Sequence, residues 1–142
     1  SIFKVTPTPE LLDERAADTM VEYLGIETHK IGEDFITMKM PVDHRTIQPL
    51  GLLHGGASVV LAESVGSLAA NLCVDPKQQF CVGLDINANH IRAVREGWVF
   101  GTARPLHLGR TTQVWQIDIR NENGHLTCIS RLTMAVRDRQ SN

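Results

Sequence analysis

A chain of 142 residues, 42% of them hydrophobic, can bury one real core and is expected to form a single domain. With 14 Lys+Arg against 16 Asp+Glu the formal net charge is −2, and no basic stripe gathers the cations, which argues against a nucleic-acid partner. No apolar run approaches a membrane span, and the N-terminal stretch has charges and prolines where a signal peptide needs an apolar segment. The three cysteines, Cys73, Cys81 and Cys128, are odd in number and lack a CxxC spacing. They suit buried free thiols in a reducing compartment, with neither a disulfide frame nor a zinc site, so a cytoplasmic location is expected.

In chain order, residues 1–8 read as a loose lead-in. Thr8-Pro9-Glu10 is a helix start: a capping hydroxyl, proline at the first helical position and an acid in the first turn. Leu12, Ala16, Met20 and Tyr23 continue at helical spacing, and Gly25 is a stop. From Ile26 the period changes to two, giving strands over 26–31 and 35–40 around a Gly32-Glu33-Asp34 turn. A long loop over 41–53 carries Asp43, His44, Arg45, Gln48, Pro49 and Gly51. A central helix is then predicted from about Gly55 to Cys73, ended by Asp75-Pro76. Leu61, Val65, Leu68 and Leu72 make its apolar stripe. Ala62, Gly66, Ala69 and Ala70 are small enough to let it lie close to another backbone. Four strands follow, over about 80–91, 97–107, 111–120 and 126–136. In the first, Val82, Leu84, Ile86 and Ala88 are expected on one face; in the last, Ile129, Leu132, Met134 and Val136. One apolar helix and about six strands are best satisfied by a curved antiparallel sheet wrapping the helix, an α+β fold.

Glu63 is the residue that such a helix does not explain. It lies off the apolar stripe with Val59 and Ser67 on its own face, and no lysine or arginine stands within a helical turn to pair it. A carboxylate there serves as general base or nucleophile more readily than as a surface charge. His54-Gly55-Gly56 at the helix start supplies a complement. The first N–H groups of a helix have no partner within it, glycine admits close approach, and the Gly55 N–H can hold an oxygen gaining charge. A tight turn into the helix is the bland alternative for the two glycines. The six histidines show no metal-ligand spacing, and no phosphate-binding glycine loop is present. Trp115 is read as core, and His90, ending its strand, as a hydrogen-bonded edge residue. The residues alone therefore stop at acyl transfer or hydrolysis, without a substrate.

The run Pro41 to Glu63, and within it Gln48-Pro49-Leu50-Gly51-Leu52-Leu53-His54-Gly55-Gly56, resembles the signature of the hotdog-fold acyl-CoA thioesterases. Val82 to His90, Leu106-His107-Leu108-Gly109 and Gln113 to Ile117 are also similar to that family, within the branch of dihydroxynaphthoyl-CoA hydrolases of menaquinone synthesis and proofreading thioesterases of enterobactin synthesis. The likeness covers nearly everything after residue 22.

The resemblance implies a hotdog fold and hydrolysis of an aromatic acyl-CoA thioester. It implies Glu63 as nucleophile or as the base directing water, with the Gly55 N–H polarising the thioester carbonyl and Gln48 assisting. His54 would steady the leaving thiolate, and Ser67 would lie beside the acyl group or position the water. His90 would line the CoA and acyl pocket, and Gly83, Arg92, Leu108, Gly109 and Arg110 would contact pantetheine and nucleotide. No cofactor or metal is implied, since coenzyme A is part of the substrate. Two subunits are expected to join sheets edge to edge and share each site, giving at least a homodimer and commonly a homotetramer. A hotdog dehydratase or a non-catalytic acyl-CoA binder is the alternative class.

Overall fold

The computed structural model describes residues 1–140. Its elements are α1 (Pro9–Ala16), α2 (Met20–Tyr23), β1 (Glu27–Ile31), β2 (Ile36–Pro41), α3 (Gly55–Leu72), β3 (Gln79–His90), β4 (Trp98–Leu108), β5 (Thr112–Asn121) and β6 (Leu126–Asp138). The strands form one six-stranded sheet in the order β1-β2-β4-β5-β6-β3, every neighbouring pair antiparallel. The sheet curls round α3, the architecture that the residues and the resemblance led us to expect.

The packing follows from residue size. Leu61, Val65 and Leu72 of α3 are fully buried, each worth about 2 kcal/mol over an exposed position. Leu68 sits on the flank of the helix and is only partly buried. The small residues of α3 face the sheet: a Cβ on Gly66 would stand 2.6 Å from Leu132 Cδ2. Trp115 is buried in the sheet, with its indole N–H donating to Gln113 Oε1 at 2.8 Å. Helix and edge strand are pinned by Asn71, whose Oδ1 accepts the Cys81 N–H at 2.8 Å and whose amide donates to Cys81 O at 3.1 Å.

The structure corrects four expectations. Residues 1–8 are not a loose lead-in: the Lys4 and Val5 N–H groups donate to Leu72 O at 2.8 and 3.1 Å, and Ile2, Phe3 and Val5 pack on the core. The C-terminal carbonyls of α3 need donors from outside the helix, and this arm supplies them. The first helix is broken in two. Asp18 takes φ +61°, and the Thr19 hydroxyl accepts from Val21 N–H while donating to Ala16 O, so a new cap starts α2. Met20 and Tyr23 are then 62% and 73% exposed. On β6 it is Cys128 that turns inward, and Ile129 stays on the outer flank.

The fourth correction concerns β3. Gly83 pairs with Met134 and Asp85 with Thr133, which leaves Leu84 as a bulge. The alternation reverses there. Cys81 and Gly83 face the helix, then Ile86 and Ala88 pack towards the core, while Val82 and Leu84 are 42% and 56% exposed.

The cysteines are free and buried, as expected. Burial pushes the Cys73 thiol up to about 12 and Cys81 up to about 11, and raises Cys128 too. At pH 8 all three are protonated and shielded. An aromatic disulfide reagent should release no colour from the native protein and should count all three thiols after denaturation. Rapid reaction of any of them in the native state would contradict this packing.

Candidate active site

The loop before α3 is built to hold the helix start still. Thr46, almost fully buried, donates from its hydroxyl to Pro41 O at 2.8 Å and accepts the Asp43 N–H at 3.1 Å. The His54 N–H donates to Thr46 O at 2.8 Å and the Leu53 N–H to Val94 O at 2.7 Å. Arg45 meets Asp43 at 2.7 Å and also donates to Tyr23 O. The hydrogen bond from the Arg45 side chain is the main reason the Asp43 carboxyl is held down at about 2. A carboxylate so occupied is a tie for the loop and a poor base.

His54 is the N-cap of α3, and its Nδ1 accepts the Gly56 N–H at 2.7 Å. That bond requires an unprotonated Nδ1, so the neutral ring carries its proton on Nε2 and can donate from there. Among the described residues no acceptor takes the Gly55 N–H, which leaves it as an orphan donor at the positive end of an 18-residue helix. The Gln48 side-chain oxygen accepts the Leu50 N–H, so its NH2 is the half left to donate outward. The His90 ring lies against Gly55, where a Cβ would stand 2.9 Å from His90 Nε2.

Gly55, Gln48 and His90 share one cleft of about 330 Å3, and His54 is not among its lining residues. Gln48, Gly55, His90 and Arg92 line it, with buried Ser58 on its wall. Arg92 Nη1 is 3.2 Å from His125 Nδ1. Ser58 was not among the residues expected at the site, although its place three residues after Gly55 puts it on the same helix face.

Glu63 is not in that cleft. It stands about 12 Å from Gly55 along the helix axis, at 1.5 Å per residue. The Gly55 N–H and the Glu63 carboxylate are thus set apart on one chain by more than two helical turns. The half-buried Glu63 carboxylate instead lies against Gly83 on β3, where a Cβ would meet its Oε2 at 2.5 Å. Only glycine leaves that room. No hydrogen bond or ion pair engages the carboxylate among the described residues, and Ser67 follows it one turn on. Leu108, Gly109 and Arg110 lie elsewhere again, beside Lys4 and Cys73 at the C-terminal end of α3. The chain thus presents three separate groups: a cleft with an unpaired backbone donor, a carboxylate on the flank of the helix, and a cationic corner. The strand between helix and solvent, β3, is the end strand of the sheet.

Among the described residues no three His, Cys, Asp or Glu side chains gather where a metal ion could sit. No helix among them is long and apolar enough to cross a membrane.

Comparison with known proteins gives the family. The sequence profile of the thioesterase superfamily matches residues 50–128. The chain is 55% identical to 1,4-dihydroxy-2-naphthoyl-CoA hydrolase of Escherichia coli over 95% of this chain and 98% of the relative. It is 50% identical to the proofreading thioesterase EntH of Cronobacter turicensis, again over 95% and 98%. The crystal structure of a mutant thioesterase of Pseudomonas aeruginosa superposes with a TM-score of 0.96 at 50% identity, covering 98% of this chain and 100% of that one. These likenesses decide for a hydrolase over a dehydratase or a binder. The chain belongs to the thioesterase superfamily and is a hotdog-fold thioester hydrolase.

Proposed function

We propose that the protein hydrolyses aromatic acyl-CoA thioesters of the hydroxybenzoyl or dihydroxynaphthoyl type, in the cytoplasm, as a homodimer or a pair of homodimers. The name of the Escherichia coli relative supports the acyl class, and the resemblance to the dihydroxynaphthoyl-CoA hydrolases is what suggests a place in menaquinone synthesis.

The observation that carries the mechanism is the separation of about 12 Å between Gly55 and Glu63 on one helix. The two ends of the reaction then come from two chains. β3 leaves one of its edges open on the sheet, and antiparallel pairing of β3 with its copy closes it. Such pairing runs the His90 end of one strand along the Gln79 end of the other. The oxyanion cleft of one subunit is thereby carried to the Glu63 and Ser67 flank of its partner.

In the composite site the carbonyl oxygen accepts from the Gly55 N–H and the Gln48 NH2. Both gain strength as the oxygen takes charge in the tetrahedral transition state. Glu63 either attacks the carbonyl carbon, expelling the thiolate and leaving an anhydride for water, or removes a proton from water as it attacks. The Nε2–H of His54 donates to the departing sulfur, because Nδ1 is held by Gly56. Ser67 stands beside the acyl group, and His90 and Arg92 line the approach for pantetheine and nucleotide. Leu108, Gly109 and Arg110 offer a cationic corner for the phosphates of the nucleotide. The Cronobacter relative favours one second reading, proofreading of carrier-protein thioesters. Comparing kcat/KM for one acyl group on CoA and on a carrier protein decides between them.

Glu63→Gln keeps the side chain's size and removes its charge. It should lower kcat on benzoyl-CoA by roughly two to four orders of magnitude while a non-hydrolysable analogue binds nearly as before. Retention of more than about a tenth of wild-type kcat would refute the role, because that is a loss under about 1.4 kcal/mol. Gly83→Ala offers a subtler test. Its Cβ displaces only the end of the Glu63 side chain, so thermal unfolding should be nearly unchanged. Turnover should fall by about 10- to 100-fold, the cost of a misplaced reacting group. Full activity in the alanine variant would mean that the carboxylate does not work from this position.

A further inference from the structure

Past Glu63, towards the C-terminal end of α3, the same helix face carries Ser67 and Asn71, one and two turns on. They line a second cleft of about 310 Å3 with Leu68, Pro76, Arg15 and Arg139. Leu68 supplies an apolar wall. The polar groups differ in how far they are already engaged. Asn71 is fully used, donating to Ser67 O at 2.9 Å and to Cys81 O at 3.1 Å while accepting from Cys81 N–H at 2.8 Å. Arg139 is exposed, donates from Nε to Pro76 O at 2.6 Å and lies over the Phe80 ring.

Arg15 is different. It is half-buried in the last turn of α1, and among the described residues it meets no carboxylate. A guanidinium keeps its charge at any working pH and presents a fork of donors that matches an oxyanion. Partly buried in the wall of the cleft, the guanidinium can meet an arriving anion with a charge-assisted bond. The cleft begins one turn from Glu63, the group assigned to the thioester carbon, and ends at this cation.

We propose that this cleft receives the distal part of the acyl group, and that Arg15 selects acyl groups whose far end carries a carboxylate or another oxyanion over unsubstituted ones. The proposal rests on the reading of Glu63 as the reacting carboxylate. Ser67, whose hydroxyl has no partner among the described residues, faces the middle of the acyl group. The rival role for Arg15 is structural: a cation in the last turn complements the dipole of α1. That role would not distinguish one acyl group from another.

The test uses Arg15→Met, which keeps the apolar stem and removes the charge, and Arg15→Lys, which keeps a cation. Calorimetry compares two non-hydrolysable thioethers, phenacyl-CoA and 4-carboxyphenacyl-CoA, and kinetics compares benzoyl-CoA with 4-carboxybenzoyl-CoA. Wild-type protein should bind the carboxylated thioether about tenfold more tightly or better. Arg15→Met should abolish that preference, Arg15→Lys should keep part of it, and benzoyl-CoA turnover should stay within about threefold. Equal affinities in the wild type, a preference that survives in Arg15→Met, or no binding of either thioether would each overturn the proposal. The binding arm needs no turnover. Loss of hydrolysis on every ester would therefore count against the catalytic reading, while the thioether affinities still decide for or against Arg15.

Discussion

The contact on which the rest depends is the close approach of one helix to one sheet face. Gly66 sets it, since a Cβ there would stand 2.6 Å from Leu132, and on β4 Gly101 would meet Leu61 at 3.2 Å. Because the chain has a single long apolar helix, the sheet must curl to cover it, and curling fixes where each strand passes relative to each helical turn. β3 crosses the flank that carries Glu63, Ser67 and Asn71. The Asn71–Cys81 bridge and the Gly83–Glu63 contact are both consequences of that crossing. The geometry of the candidate site derives from core packing.

The same helix also imposes the separation of functions. Its N-terminus is where backbone donors are free, and its flank is where a carboxylate can be half-desolvated. The pitch of an α-helix keeps the two about 12 Å apart. In the proposed composite site a second copy of the chain bridges that separation, by turning the same helix round through two-fold symmetry, so that one pairing both covers a strand edge and completes the chemistry.

Much of this was legible in the residues. Strand and helix periods placed β1 to β6 and α3 to within a residue or two, because most of these elements bury one face more than the other; β2, buried on both, was marked by its length and the turn before it. The bulge at Leu84 was invisible, since Val82, Leu84, Ile86 and Ala88 alternate without a break in the sequence while the partner strand decides which of them is skipped. The break after Ala16 was missed because the apolar spacing ran on through Met20 and Tyr23, and only the Asp18-Thr19 pair hinted at a second cap. Gln48, Gly55, His90 and Arg92 did come together, on loop, helix and strand ends far apart in the chain. Gly55 and Glu63 did not, although their spacing alone implied as much. Arg15 carried no signal, because an arginine in the last turn of a helix reads as a dipole partner until the cleft beside it is seen.

The central claim, that each site is shared, can be tested by mixing subunits. Glu63→Gln has an intact oxyanion cleft and no working carboxylate; the double variant Gln48→Ala, His54→Ala has the reverse. If the two are dissociated together and reassociated, a hybrid dimer with shared sites holds one site with both lesions and one with neither. Thiol release should then recover to about a quarter of the wild-type rate, since half the dimers are hybrids with one intact site each. If each site lies within one chain, every site in the mixture carries a lesion, and activity no higher than the average of the two variants would contradict the account.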